Sequence, residues 1–133
     1  MRIWRENGID RDDIVDIVVK EGKIERVNAL ELLPAEIKEK LPKLYECEEL
    51  GLLAIALLKL FTPDSSWTWY ASEFDGEDLF FGLVDGFETE LGYFSLSELK
   101  AARGPLGLPI ERDLYYQPKT LQELLDMHKR QRY

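Results

Sequence analysis

The sequence predicts an α+β fold, an antiparallel sheet of about four to six strands with two or three helices packed on it. Three observations carry this expectation. The stretch Trp67 to Asp113 holds nine of the fifteen aromatic residues: Trp67, Trp69, Tyr70, Phe74, Phe80, Phe81, Phe87, Tyr93 and Phe94. Asp75-Gly76 and Asp85-Gly86 punctuate it, and Asp-Gly between β-rich runs signals a hairpin because type I′ turns need positive φ at both central residues. Capping patterns at Ser95-Leu96-Ser97-Glu98 and Thr120-Leu121-Gln122-Glu123 start helices.

Taken in order, residues 1–32 read as an N-terminal extension and 33–133 as a single α+β domain. Residues 1–13 are polar and without period, which predicts a loosely held terminus. Ile14 to Val19 and Ile24 to Val27 flank Gly22 as a hairpin. Asn28 to Glu31 resembles a cap, but Pro34 follows too soon for one clean helix. Pro34 instead suits the first position of a helix running through Ile37 to Pro42. The apolar run Leu52–Phe61 is ambiguous by period, and Pro63-Asp64-Ser65-Ser66 turning it into the Trp67 segment favours a buried strand over Ile55–Phe61.

Three strands follow near 67–74, 79–84 and 89–94. With two-residue turns Phe74 pairs with Glu77 and Val84 with Phe87, and Trp69 falls over Gly82. Glu73 then shares a face with Trp67 and Trp69, opposite to that of Glu90, and one bulge would change these relations. The Ser95 helix stops at Gly104-Pro105. An apolar loop leads to a fourth strand over Ile110–Tyr116, and the Thr120 helix closes one face of the sheet.

Several segments together resemble one family, the bacterial domain of unknown function 2958. They are Leu41-Pro42-Lys43-Leu44-Tyr45, Lys59-Leu60-Phe61-Thr62-Pro63, Trp67-Thr68-Trp69-Tyr70, Glu90 to Leu99, and Gly107 to Asp113. The resemblance covers roughly residues 33–125. It implies a small intracellular protein encoded on plasmids and other mobile elements near DNA-handling genes. It supplies no activity and no catalytic residue.

Composition narrows the chemistry. The 133 residues are 45% hydrophobic and 32% charged, ordinary for a soluble domain. No apolar run approaches the ~20 residues that span a bilayer, and the N-terminus lacks a signal-peptide core, so the expected location is the cytoplasm. One cysteine, Cys47, and one histidine, His128, exclude an internal disulfide and a Cys/His zinc site. A Cys47–His128 dyad is discounted because His128 lies in a terminal helix expected to fray. No nucleophile motif, phosphate-cradling glycine loop or dinucleotide fingerprint is present, so no cofactor is expected.

Charge is uneven. Residues 52–98 carry one basic and nine acidic side chains, net −8, against net −4 before them and +3 after. An acidic centre argues against duplex nucleic acid, which needs a basic footprint. The plain account of this charge is solubility. The sharper one is a face that presents carboxylates to a basic protein partner.

The functional expectation is therefore a non-enzymatic acidic interaction module, with Trp67, Trp69, Tyr70 and Glu73 as its binding surface. Glu73 beside apolar rings would favour its protonated form and act as an acid. The alternative is a hydrolase of nucleic acid or nucleotide using Mg²⁺ or Mn²⁺ on Glu73, Glu90, Glu111 and Asp113. Against it stands a structural account in which Arg112 forks onto Glu73 or Glu90. The tryptophans and Tyr70 stacking single-stranded bases form a third possibility, which their acidic flanks disfavour.

Overall fold

The computed structural model describes the backbone of residues 2–3, 15–20, 23–27 and 31–132, and side chains over residues 31–131. A three-stranded sheet at the N-terminus joins β1 (Arg2–Ile3), β2 (Val15–Lys20) and β3 (Lys23–Val27) in that order, all antiparallel. The hairpin expected around Gly22 forms, with Lys20 opposite Lys23; Gly22 itself lies outside the described residues. Of the terminus expected to be loose, Arg2 and Ile3 pair with Asp16 and Val15, and residues 4–13 lie outside the description. So do residues 28–30 of the Asn28 pattern.

The main sheet has five antiparallel strands in the order β8-β7-β6-β5-β9. They are β5 (Leu58–Phe61), β6 (Thr68–Phe74), β7 (Leu79–Asp85), β8 (Thr89–Ser95) and β9 (Glu111–Arg112). A two-stranded sheet pairs β4 (Ile55–Ala56) with β10 (Lys119–Thr120). The strand expected over Ile55–Phe61 is thus present, interrupted at Leu57, whose amide donates to the Ala71 carbonyl. Of Ile110–Tyr116 only Glu111–Arg112 pairs as strand, because the chain turns away after the Asp113 amide reaches the Lys59 carbonyl.

Helix α1 (Ala35–Lys40) follows Pro34, and α2 (Leu96–Ala101) is capped by the Ser95 hydroxyl, which accepts the Glu98 amide at 3.3 Å. Before α3 (Leu121–Arg132), Thr120 and Glu123 close a reciprocal box, Glu123 N to Thr120 Oγ1 at 3.1 Å and Thr120 N to Glu123 Oε1 at 3.3 Å. A core lies on each face of the sheet. One gathers Leu58, Leu60, Phe74, Phe80, Phe94 and Leu99 with α1 alongside. The other gathers Ala56, Tyr70, Leu83, Leu121 and Leu124 under α3. Among the described residues no helix is long and apolar enough to cross a membrane.

Neither central turn has two residues. Asp75 begins a four-residue loop whose carboxylate accepts the amides of Glu77, Asp78 and Leu79 at 2.8–3.0 Å, with Gly76 at φ 92°. The second loop places three residues between Asp85 and Thr89. Phe74 therefore pairs with Phe80, and Trp69 with Val84. The ring over glycine does occur, but between Trp67 and Gly86, where a Cβ would run into the indole. Gly82 sits opposite Ala71 instead, and a Cβ there would collide with the Tyr70 carbonyl.

Candidate functional site

The site begins with a bulge. Between Ala71 and Glu73 the β6–β7 register slips by one residue, leaving Ser72 as the extra residue. Strand side chains alternate, so this insertion turns Glu73 away from Trp69 and onto the face of Phe81 and Tyr93. Glu73 thus shares no face with the tryptophans. Its side chain is 5% exposed and is held from above by the loop after α1. Tyr45 N donates to one carboxylate oxygen at 3.1 Å and Cys47 N to the other at 2.8 Å.

To present its amide in this way Tyr45 adopts φ 73°, a left-handed backbone that costs a bulky residue energy. That conformation persists because the Glu73 carboxylate rewards it. Behind the loop runs a 3-10 segment, Glu48–Leu53, with Gly51 at φ 53°. Between loop and sheet lies a cavity of about 210 Å³. Glu73, Ser72 and Phe81 line its sheet side, and Tyr45, Cys47 and Tyr93 stand around it. Ala54, Leu91 and Leu121 complete an apolar wall.

Its electrostatics follow from burial and charge. The Cys47 thiol is pushed up by burial first, then by the negative charge of Glu73 and Glu46, so it stays a protonated thiol at neutral pH. The Tyr93 phenol is also raised, first by hydrogen bonding with Tyr45, then by desolvation and by the charges of Glu73 and Glu48. Both shifts report a local field that disfavours further negative charge. Cys47 is no activated nucleophile, and its partner is Glu73 rather than His128.

His128 is the residue that sequence reasoning misjudged. It is buried, not frayed: its Nδ1 lies 3.1 Å from Asp85 Oδ2 and its Nε2 2.8 Å from the Tyr70 hydroxyl. Asp85 also accepts the Thr89 hydroxyl at 2.6 Å. Burial drives the Tyr70 hydroxyl far above the ordinary phenol value and Tyr116, packed against it, to about 12. Tyr70 is 1% exposed, and this chain of groups ties α3 to the sheet.

The remaining nominated residues separate. Arg112 lies in β9 and Glu90 in β8, at opposite edges of the five-stranded sheet, so the expected fork onto Glu90 cannot form. Nor does Arg112 reach Glu73; its Nε donates to the Glu31 carbonyl at 2.8 Å, and burial lowers its pKa against the opposing charges of Glu31 and Glu36. Asp113 pairs with Lys59 at 3.3 Å and borders, with Glu111, a separate depression. Glu73, Glu90, Glu111 and Asp113 therefore do not converge, and the described residues contain no group of three or more metal-ligating side chains. Trp67 and Trp69 stack at 5.9 Å, half-buried, while Tyr70 and Glu73 lie buried on the other face, so these four do not form one surface.

Fold and site define a small α+β protein whose bulged antiparallel sheet floors an aromatic, carboxylate-bearing cavity. The chain belongs to the family described as protein of unknown function DUF2958, which matches residues 32–131. No curated protein and no solved structure matches it.

Proposed function

We propose that this protein is a non-enzymatic interaction module that receives an extended, basic segment of a partner protein along β8. The observation that carries this is the state of that strand. β8 is the outermost strand of the main sheet, and among the described residues Glu90 to Phe94 pair on one side only, with β7. An outer strand offers a row of backbone donors and acceptors to an added strand. Natural edges are blunted with charged side chains, above all lysine, with proline or with bulges. Between Glu90 and Phe94 this one has a single charge, Glu90, and no lysine, proline or bulge.

Leu91 and Tyr93 are exposed, and Gly92 between them adds no side chain to crowd an incoming strand. The chemistry of the partner follows from charge. Glu88 and Glu90 lie beside or on the strand, Glu48 lines the cavity with Glu73, and residues 52–98 carry net −8. Such a field steers basic segments and repels acidic ones. The setting in mobile-element biology is carried over from the family resemblance.

The test is titration of ¹⁵N-labelled protein with displayed-library-selected extended basic peptides. Binding should shift the Glu90–Phe94 amides and weaken as salt rises. Binding that leaves those amides unmoved, or that salt does not touch, overturns the reading.

A further inference from the structure

The cavity above Glu73 adjoins the strand on which that partner segment would lie, and its chemistry is more specific than an apolar dent. A carboxylate that is 5% exposed sits at its base, with two amides supplying dipoles but no positive charge. Among the described residues no lysine or arginine lines the cavity, whereas Glu48 does. Rings of Phe81, Tyr93 and Tyr45 surround the carboxylate, and the first two meet edge-to-face at 5.1 Å. Aromatic faces beside a carboxylate in a low-dielectric hollow attract a cation.

Shape narrows the cation. Tyr45 and Tyr93 are largely exposed at the mouth, while Ala54, Ser72, Glu73 and Leu121 are buried at the inner end. The two phenols are hydrogen-bonded to each other, so a ligand enters beside that pair. It then passes the apolar wall of Leu91 before it meets the Glu73 carboxylate. An unbranched methylene stem with a compact ammonium head has that order of parts. One position on each Glu73 oxygen is already taken by an amide, which favours a point-like ammonium over a forked guanidinium.

We infer that this cavity is a receptor for an alkylammonium group, the side chain of a lysine in the segment added to β8. The inference rests on the strand-addition reading for the source of the lysine, while the recognition chemistry belongs to the cavity itself. Leu91 and Tyr93 belong to both, because they line the cavity and stand on the outer strand.

The experiment uses two small probes on the full chain, N-acetyl-lysine methylamide and its uncharged counterpart N-acetyl-norleucine methylamide. Amide shifts of Tyr45 and Cys47, the two donors to Glu73, report occupancy, as does protection of Cys47 from iodoacetamide. The lysine probe should bind at least about tenfold more tightly than the norleucine probe, the scale of one partly desolvated cation–π and charge contact. Glu73→Gln should abolish that preference. Should Glu73→Gln disturb the loop it anchors, Tyr93→Ala at the exposed mouth should still reduce it severalfold.

Equal binding of the two probes, or shifts that spare Tyr45 and Cys47, overturns the assignment. A basic peptide that pairs along β8 equally well with norleucine replacing every lysine also overturns it, and leaves strand addition standing. A lysine probe that fills the cavity while no peptide moves the β8 amides supports the cavity and removes strand addition.

Discussion

Glu73 and Cys47 make each other measurable. The Cys47 amide donates to the carboxylate, and the thiol of the same residue is raised by burial and then by that carboxylate's charge. Burial and negative charge both disfavour thiolate, so alkylation should be slow at neutral pH and accelerate only above the ordinary thiol range. Glu73→Gln removes one raising cause and should speed iodoacetamide labelling severalfold near about pH 8. Mass spectrometry of quenched samples reads this directly, and an unchanged rate would show that the charge does not act on the sulfur. Glu73 was conspicuous in the sequence as an acid among rings. Its rings proved to be Phe81 and Tyr93, because the side chain's direction depends on a one-residue insertion that no local pattern marks.

At the scale of elements, what is encoded locally was legible. The Ser95 and Thr120 caps depend on residues within one turn and occur where the sequence places them. Helix α1 starts one residue later than expected, with Pro34 as its N-cap rather than its first residue. The Asp-Gly hairpins form, but the register of the first follows the Asp75 carboxylate, which gathers three amides and so lengthens its loop. Asp78 extends this logic by tying the start of β7 to α2, accepting the Ser97 amide at 2.7 Å and the hydroxyls of Ser95 and Ser97. Hydrogen bonding to Ser95, then to Ser97, holds the Asp78 carboxyl below the usual carboxylate range. A carboxyl with a depressed folded-state pKa stabilises above the unfolded value of about 3.9, and that contribution is lost as pH falls through the folded value. Asp78→Asn should therefore melt a few degrees lower than wild type at neutral pH, with the gap closing below about pH 4. Circular dichroism melts across that window check it, and a gap independent of pH would place the loss elsewhere than in the ionised carboxylate.

The bulge itself belongs to the sheet as a whole. Gly82 lets the Tyr70 carbonyl approach it closely, and the neighbouring Leu57 amide binds the Ala71 carbonyl, so three strands share one irregularity. Gly82→Ala puts a methyl where that carbonyl lies and should cost about 2 kcal/mol or more, with the Glu73 loop loosened as well. Urea unfolding gives the first number, and amide exchange at Tyr45 and Cys47 reports the second. Wild-type values for both would sink the close-approach argument.

Across the whole molecule the two faces of the sheet are sealed differently, and this explains why His128 escaped sequence reasoning. Its partners Tyr70 and Asp85 come from β6 and β7, and Tyr70 lies 58 positions away in the chain. A helix end far from its partners in sequence reads as frayed until the fold supplies them. Here they convert the last turns of α3 into the fastening of the second core, where Leu121 and Leu124 lie on Leu83 and Tyr70. His128→Ala removes an imidazole that touches both a buried hydroxyl and a carboxylate, and should lower stability by about 2–3 kcal/mol. His128→Phe restores ring volume without the polar contacts, so it should recover the packing share and leave Tyr70 without its imidazole. If α3 is fastened by hydrogen bonding, urea midpoints should rank wild type above His128→Phe, and amide exchange in α3 should quicken in both variants. Should His128→Phe match wild type, packing alone holds the helix. The Leu121 wall of the Glu73 cavity would then owe its position to apolar contact rather than to the Tyr70–His128–Asp85 chain.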